Sequence, residues 1–498
     1  MKRLLCYIFV IVIIKMVSLG ANVDSALVEH TTLGQLPRLE SLRNPALHGL
    51  YYRTSFSALS LGLDLQRQSQ AFVPEKGTGY TLPYLKVNTY HHLNEKSAVW
   101  GEASYTTGKQ HAVRWNSTSD YDLLQPYVLA DTVGGDTRRE RYAIAGGYAL
   151  RLNRWALGVE MRVRAEQEYR RRDPRMRGVV TDLTLRLGAG YELGRYRLAA
   201  TFEGNIYRQT NSVAFYREES VIPEYQMTGL GTEYSRFSGD KRSLYHDGGG
   251  VAVMLHASPV DHNGFYADVT LDTHRYHRKL AEYNSMPLTD LYVDHAGTTI
   301  GWKRDNGSRL AAFAHLDYTR RTGNEHVGGT SDARYFPVIA CLTMYKNRLF
   351  DSYLSALYGN RGWNVVIAAG YQSQNEEYIY PHREMDASHI YGKLQGQCFL
   401  HASDKLLLTV DAHAAYLANV SDKMQMPFAN MEEGVTRLIH HKHEFAKADY
   451  TVLDAKVRAD YAWKQTRYGL FAEAGGGITW CSAGEHQTLF QCAIGFTF

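Results

Sequence analysis

Trp155-Ala-Leu-Gly-Val-Glu-Met-Arg-Val163 alternates strictly: Trp155, Leu157, Val159, Met161 and Val163 fall on one face of an extended chain, and Ala156, Gly158, Glu160 and Arg162 on the other. A period of two is the mark of a β-strand whose faces meet different surroundings. The pattern returns along the chain. Leu406, Leu408, Val410, Ala412, Ala414 and Tyr416 oppose Leu407, Thr409, Asp411, His413 and Ala415. Further on, Leu453, Ala455, Val457, Ala459, Tyr461 and Trp463 oppose Asp454, Lys456, Arg458 and Asp460. In each case one face carries charges and the other carries none.

Alternation alone fits a soluble sandwich as well as a membrane barrel. Length and ordering separate them. Strands here run ~12–18 residues against ~5–6 in ordinary sheets, and ~9–11 suffice to cross the hydrocarbon. Tyr142, Trp155, Tyr371 and Trp480 mark the ends of apolar faces, as in the aromatic girdles of a barrel. The composition agrees, with 36 Tyr, 43 Gly and only 12 Pro. The expected fold is therefore all-β, a transmembrane antiparallel up-and-down β-barrel.

Strands are placed near 50–67, 79–93, 96–109, 138–152, 154–170, 179–193, 195–210, 243–258, 264–281, 288–304, 308–322, 347–359, 361–376, 388–402, 404–419, 443–464, 466–481 and 486–498. That makes about eighteen, with sixteen or twenty open because Tyr335 to Tyr345 is apolar enough to be a strand, and single-chain bacterial barrels have even counts. Connections alternate between short turns, such as Asn153, Gly194, Asp261-His262-Asn263, Ser403-Asp404 and Lys464-Gln465-Thr466, and long loops near 110–137, 211–242, 323–346 and 420–442. Short turns are expected in the periplasm and long loops outside. The last strand puts Phe490, Cys492, Ile494, Phe496 and Phe498 on one face and resembles the C-terminal targeting strand of outer-membrane proteins.

Lys2 and Arg3, an apolar run from Leu4 to Ile14, then Ser18, Gly20 and Ala21 read as a signal peptide over residues 1–21. Residues 22–49 form a short periplasmic segment that could insert as a small hatch, far too short for the globular plug of TonB-dependent receptors, and residues 50–498 form the barrel. No later run approaches the length of a spanning helix, and mean hydropathy is −0.36. The near-balanced formal net charge of +4 argues against a nucleic-acid partner, which would call for a clustered basic face. Outer-membrane lipid and lipopolysaccharide, the barrel-assembly machinery and other uptake or secretion subunits are.

Leu42-Arg43-Asn44-Pro45-Ala46-Leu47, just ahead of the first strand, resembles the Asn-Pro-Ala lead-in of FadL-like transporters and PorP/PorV-type barrels. Its plainer reading is a turn, since Pro45 biases Asn44 away from helix. The chain as a whole resembles the Tyr-rich outer-membrane barrel families of unknown function in Bacteroidetes. That resemblance implies location and fold, and no transport residue.

Charges expected to line the lumen come in both signs: Glu102, Glu160, Arg162, Arg164, Arg186, Glu203, Asp268, Asp272, Lys303, Asp317, Lys393, Asp411, Asp454, Lys456, Arg458 and Glu473. They read either as a pore lining that sets solute preference or as a mutually paired network filling the lumen. The run Arg170-Arg171-Arg172-Asp173-Pro174-Arg175-Met176-Arg177 is basic enough to meet lipopolysaccharide phosphates, or is a solvated loop. Met424, Met426 and Met431, followed by His440, His441 and His443, pair donor types that suit copper or haem iron, against the plainer reading of a loop with scattered histidines. No cofactor or metal is expected, and no catalytic motif stands out. Cys341, Cys398, Cys481 and Cys492 are expected to be unpaired, with Cys481 on the polar face and Cys398 and Cys492 on apolar faces. The function expected is a channel or transport component for a small solute; a non-conducting binding or scaffold subunit of an uptake or export complex is the alternative.

Overall fold

The computed structural model describes residues 25–498 apart from 39, 217–223, 235–242, 262, 282–284, 330–336, 404, 431–432 and 463–467. The signal peptide, Met431, His262, Asp404 and the Lys464-Gln465-Thr466 turn lie outside the described residues.

Eighteen antiparallel strands close into one barrel. Phe56–Gln68 pairs on one side with Gly79–Asn94 and on the other with the last strand, His486–Thr497, in register from Ala58 opposite Thr497 to Gln68 opposite Gln487. Strand lengths run from 12 residues to the 22 of Val338–Gly359. The two faces of Trp155–Arg170 show why the ring forms: Trp155 and Met161 are each 52% exposed on the outside, while Ala156 and Glu160 are 4% and 3% exposed on the inside. Short turns gather at one rim, where Asn153 and Gly194 take the left-handed conformation a tight hairpin needs. Long connections gather at the other.

Three of the differences from the sequence reading bear on the lumen and the strand count. The first strand begins at Phe56 rather than Leu50, because Gly49 caps the short helix Pro45–His48 and Tyr52 turns inward against His30 and Tyr90. Val338–Tyr345 is no extra strand; it is the outer half of Val338–Gly359. The stretch read as a loop near 420–442 and a strand from 443 is strand to Gln425, then the helix Gly434–Ala446, with the next strand spanning Tyr450–Ala462. Val435, Leu438, Ile439 and Phe445 are buried at helical spacing, which a search for period two passes over.

Both mouths are filled. At the long-loop rim, Leu129–Asp131, Glu224–Gly229 and Thr232–Glu233 form a small sheet inside the barrel. An apolar cluster including Tyr127, Leu230, Tyr276, Tyr345, Tyr378 and Ile439 surrounds it. At the short-turn rim, Ser25–Thr31, Leu33–Arg38 and Pro45–His48 cross the lumen as short helices. Leu27 and Val28 pack on Phe399 and Leu407, and Leu36 on Ala311, Leu357 and Val366. All four cysteines beyond residue 24 are free; Cys481 packs inward on Phe445 and Ala448.

Candidate functional site

The lumen is the site, and it has a ceiling, a floor and a chamber between them. The ceiling is held by arginines projecting from the wall. Arg164 grips Asp120 through two 2.7 Å hydrogen bonds. Arg170 meets Asp131 at 2.7 Å and the Asn116 carbonyl at 3.1 Å. Arg278 donates to the Met227 and Val128 carbonyls and to Gln226. Arg321 reaches the carbonyls of Asp122 and Leu123, and Arg383 that of Leu230. Each guanidinium satisfies buried carbonyls or a carboxylate that a loop folded into the barrel could not leave unpaired. Lys442 on the inner helix adds a cation to buried Glu75 and Tyr121. Burial opposes its charge, but Glu75 and Tyr121 outweigh it and hold the ammonium well above its ordinary value.

The floor is docked by the Asn-Pro-Ala motif. Asn44 is wholly buried and caps the Pro45–His48 helix, its Oδ1 accepting from the Ala46 and Leu47 amides at 2.8 and 3.3 Å. Its Nδ2 donates to the Ala200 carbonyl of the wall at 2.9 Å. Gly158 and Gly188 are direct cross-strand partners beneath it. A Cβ on Gly158 would fall 2.4 Å from the Pro45 carbonyl carbon, and one on Gly188 2.4 Å from Asn44 Oδ1. The motif is therefore a helix cap seated in a glycine-lined notch, where the sequence suggested a turn. His48 stacks near Tyr90 and Trp100, and burial lowers it to about 4.

Between ceiling and floor lies a cavity of about 760 Å³ lined by Asp64, Lys86, Glu102, Arg141, Arg162, Arg458 and Glu473 among others. The sixteen charges singled out in the sequence stand on the inner face, mostly with partners. Glu102 meets Lys86 at 2.9 Å. Glu160 accepts from Arg162 at 2.6 Å, Trp100 at 2.8 Å and Arg186 at 3.0 Å, and Arg186 continues to Glu203. Arg164 also reaches Asp182. Asp268 holds His256, while His295 bridges Asp272 and Asp317 at 2.7 and 2.6 Å. Lys303 lies over the Tyr266 ring and Lys393 over Tyr391. Asp411 accepts from Gln397 and faces Lys456; Asp454 holds His413; Arg458 meets Asp460 and Glu473 over the Phe471 ring. Arg141 and Arg162 remain about half exposed to the chamber.

Met424 and Met426 pack on the apolar cluster of the ceiling, while His441 Nε2 donates to the Ala71 carbonyl and His443 faces Asp422. Among the described residues no group of three or more His, Cys, Asp or Glu has a metal-holding arrangement. A second cavity, about 980 Å³, opens at the long-loop rim beside Trp115, Tyr225 and the face of the inner helix carrying Gly434, Leu438 and His441. Sequence reading missed Arg278, Arg321, Arg383, Asp120 and Asp131, because an inward arginine reads the same whether it meets water or a folded loop. The Gly158 and Gly188 pair was the available signal for the floor.

The model described as a family of unknown function, DUF6850, matches residues 45–498, nearly the whole described chain, from the floor motif to the last strand. The chain belongs to the DUF6850 family. No curated protein matches the DUF6850 chain. Among solved structures it is similar to the ferric preacinetobactin receptor BauA of Acinetobacter baumannii, at 8% identity over 90% of this chain and 80% of that one, TM-score 0.40. It is also similar to the copper transporter OprC, at 8% identity over 89% and 80%, TM-score 0.41. The ferric-catecholate import receptor Fiu of E. coli K12 matches at 10% identity over 91% and 82%, TM-score 0.41. No residue of the DUF6850 barrel is assigned from these three.

Proposed function

We propose that this DUF6850 barrel is an outer-membrane, non-enzymatic transport component for a small solute whose passage is closed at rest. Support for the membrane setting comes from the outer wall. Ile144, Leu187, Ile206, Leu271, Leu354 and Ile494 stand half or more exposed there, a surface far larger than the apolar patches soluble monomers tolerate. Short turns then face the periplasm, residues 22–49 form a periplasmic hatch, and residues 1–21 direct export. The observation that carries the transport reading is the charged chamber enclosed between ceiling and floor. A space lined with Arg141, Arg162, Glu102 and Glu473 suits a polar solute, and a floor of some twenty-five residues is small enough to be displaced.

The alternative, a non-conducting binding or scaffold subunit, is favoured by one feature: the wall arginines fix the ceiling through buried contacts, so that end is built to stay shut. Planar-bilayer recording of purified full-length protein separates the readings. Closed protein with brief openings, converted to steady conductance by Asn44→Ala with Gly188→Ala in the floor and Arg170→Met in the ceiling, supports gated transport. Steady porin-like conductance of the unmodified protein overturns the closed state, and silence of both proteins leaves the scaffold reading.

A further inference from the structure

The basic run at 170–177 divides in the structure. Arg170 turns inward and is buried against the ceiling, and Arg175 meets Asp173 and the Tyr216 ring. Arg171, Arg172 and Arg177 are exposed. Strand register then brings other cations beside them. Lys109 lies directly opposite Arg138, Arg138 opposite Tyr169, and Tyr169 opposite Arg177, so four neighbouring strands present Lys109, Arg138, Tyr169 and Arg177 side by side. Their inner-face neighbours fix the direction. Thr137 binds Glu168 inside the barrel, and Met176 packs inward with Val213 and Leu244, so the row itself faces outward.

Among the described residues, none of Lys109, Arg138, Arg171, Arg172 and Arg177 has a carboxylate at ion-pair distance. The acids near them on this face are, among the described residues, Asp136, which accepts from the Ala112 amide at 3.0 Å and faces His111, and Glu140, two residues further along the strand from Arg138. Like charges directly opposite across a strand pair are destabilising, so the Lys109 and Arg138 juxtaposition asks for an anion between them. Four residues toward the barrel's middle, the rings of Tyr105 and Tyr142 meet at a tilt with centroids 4.8 Å apart on the same wall, the position of a girdle tyrosine at a membrane interface. The cations thus stand just beyond the apolar band on the long-loop side, where headgroups lie.

We propose that this wall binds the phosphate groups of an outer-leaflet glycolipid, with Arg138 and Arg177 supplying forked donors, Lys109 a point charge, Tyr169 a hydroxyl, and Arg171 and Arg172 closing the site from the loop. Arginine forks match phosphate oxygens two at a time, and a headgroup fixed to the bilayer meets them without loss of its acyl burial. The site rests on the reading above that the long loops face outward.

Native mass spectrometry and titration of detergent-purified full-length protein with bisphosphorylated lipid A, dephosphorylated lipid A and inorganic phosphate test it. Bisphosphorylated lipid A should bind, and Lys109→Gln with Arg138→Gln and Arg177→Gln should weaken it by about tenfold or more, as expected for several charge-assisted hydrogen bonds. Dephosphorylated lipid A should bind as weakly as the variant does. Equal binding of the two lipids, unchanged binding by the variant, or inorganic phosphate competing as well as the lipid would each overturn the site. Arg177→Gln alone, at an exposed position, keeps the test available should the triple variant lose heat-modifiable migration. Absence of lipid A binding by the unmodified protein, in a chain that still reaches the outer membrane, overturns this site only. A chain that never reaches that membrane overturns the functional reading instead.

Discussion

Arg170 and Asp131 form a 2.7 Å ion pair in which both side chains are wholly shielded from solvent, the guanidinium from the end of a wall strand and the carboxylate from the inner sheet. Asp131 also accepts from Ser117 Oγ at 2.6 Å and from the Val133 and Gly134 amides at 3.0 and 2.7 Å. One carboxylate thereby organises the loop that forms the ceiling. Removing one partner of such a pair strands a buried charge at a cost of roughly 3–5 kcal/mol. Arg170→Met should cost about that much and expose residues 114–134 to limited proteolysis, and Asp131→Asn should expose the same residues, because its one oxygen can serve the Val133 and Gly134 amides only while its NH2 is set against the buried Arg170. Equal protease resistance of Arg170→Met and unmodified protein would show that the ceiling does not depend on the pair.

The floor should fail at Asn44. Asn44→Ala removes a helix cap, worth about 1 kcal/mol, together with the tie to Ala200. Gly188→Ala should displace the same segment by steric means, since its Cβ would overlap Asn44 Oδ1. Hydrogen exchange over residues 25–49 should accelerate in both variants while the strands stay protected. Acceleration in the strands as well would mean that the floor is part of the barrel's cooperative unit.

Register can be checked on one strand. Val410 faces outward between Cys398 and Val457, and His413 faces inward on Asp454 at 2.8 Å. Arginine at Val410 should cost roughly 2–4 kcal/mol and impair assembly if that face meets lipid. His413→Arg keeps a cation beside Asp454 and should assemble normally. Heat-modifiable gel migration reads both, and equal assembly would put lipid on neither face.

Acid should loosen the floor. Burial lowers His48 to about 4 from its ordinary 6.5, with Glu160 pulling upward and Arg162 downward; burial lowers His30 too, against the Thr54 carbonyl and Glu29. A displaced segment takes up these protons first, so docking is strongest above about pH 6.5 and weakens as pH falls toward 4. Protection over residues 25–49, with the intrinsic chemical exchange rate at each pH divided out, should be lower at pH 5 than at pH 7.5, and His48→Gln should shrink the difference. A pH-independent protection factor would mean that His48 leaves its aromatic pocket in neither state.

Alternation in runs such as Trp155–Val163 determined the barrel, its up-and-down strand order and its inward and outward faces, because a strand between lipid and lumen has to repeat with period two. It put the count at about eighteen with sixteen or twenty open, and the closed sheet made it eighteen. It also placed Cys481 and Cys492 on opposite faces, and the structure leaves both free. Such information is local, written residue by residue along each strand.

What fills the barrel was decided by tertiary structure alone. Arg164 and Arg170 look like any inward charge until Asp120 and Asp131 arrive from a loop 44 and 39 residues away. Asn44 looks like a turn until the Gly158 and Gly188 notch on distant strands receives it. Lys109 and Arg177 become neighbours only through the register of three strand pairs. An inward or outward direction is set by the pleat, but a partner is set by which distant segment the closed wall brings within hydrogen-bonding reach, and period two carries no record of that.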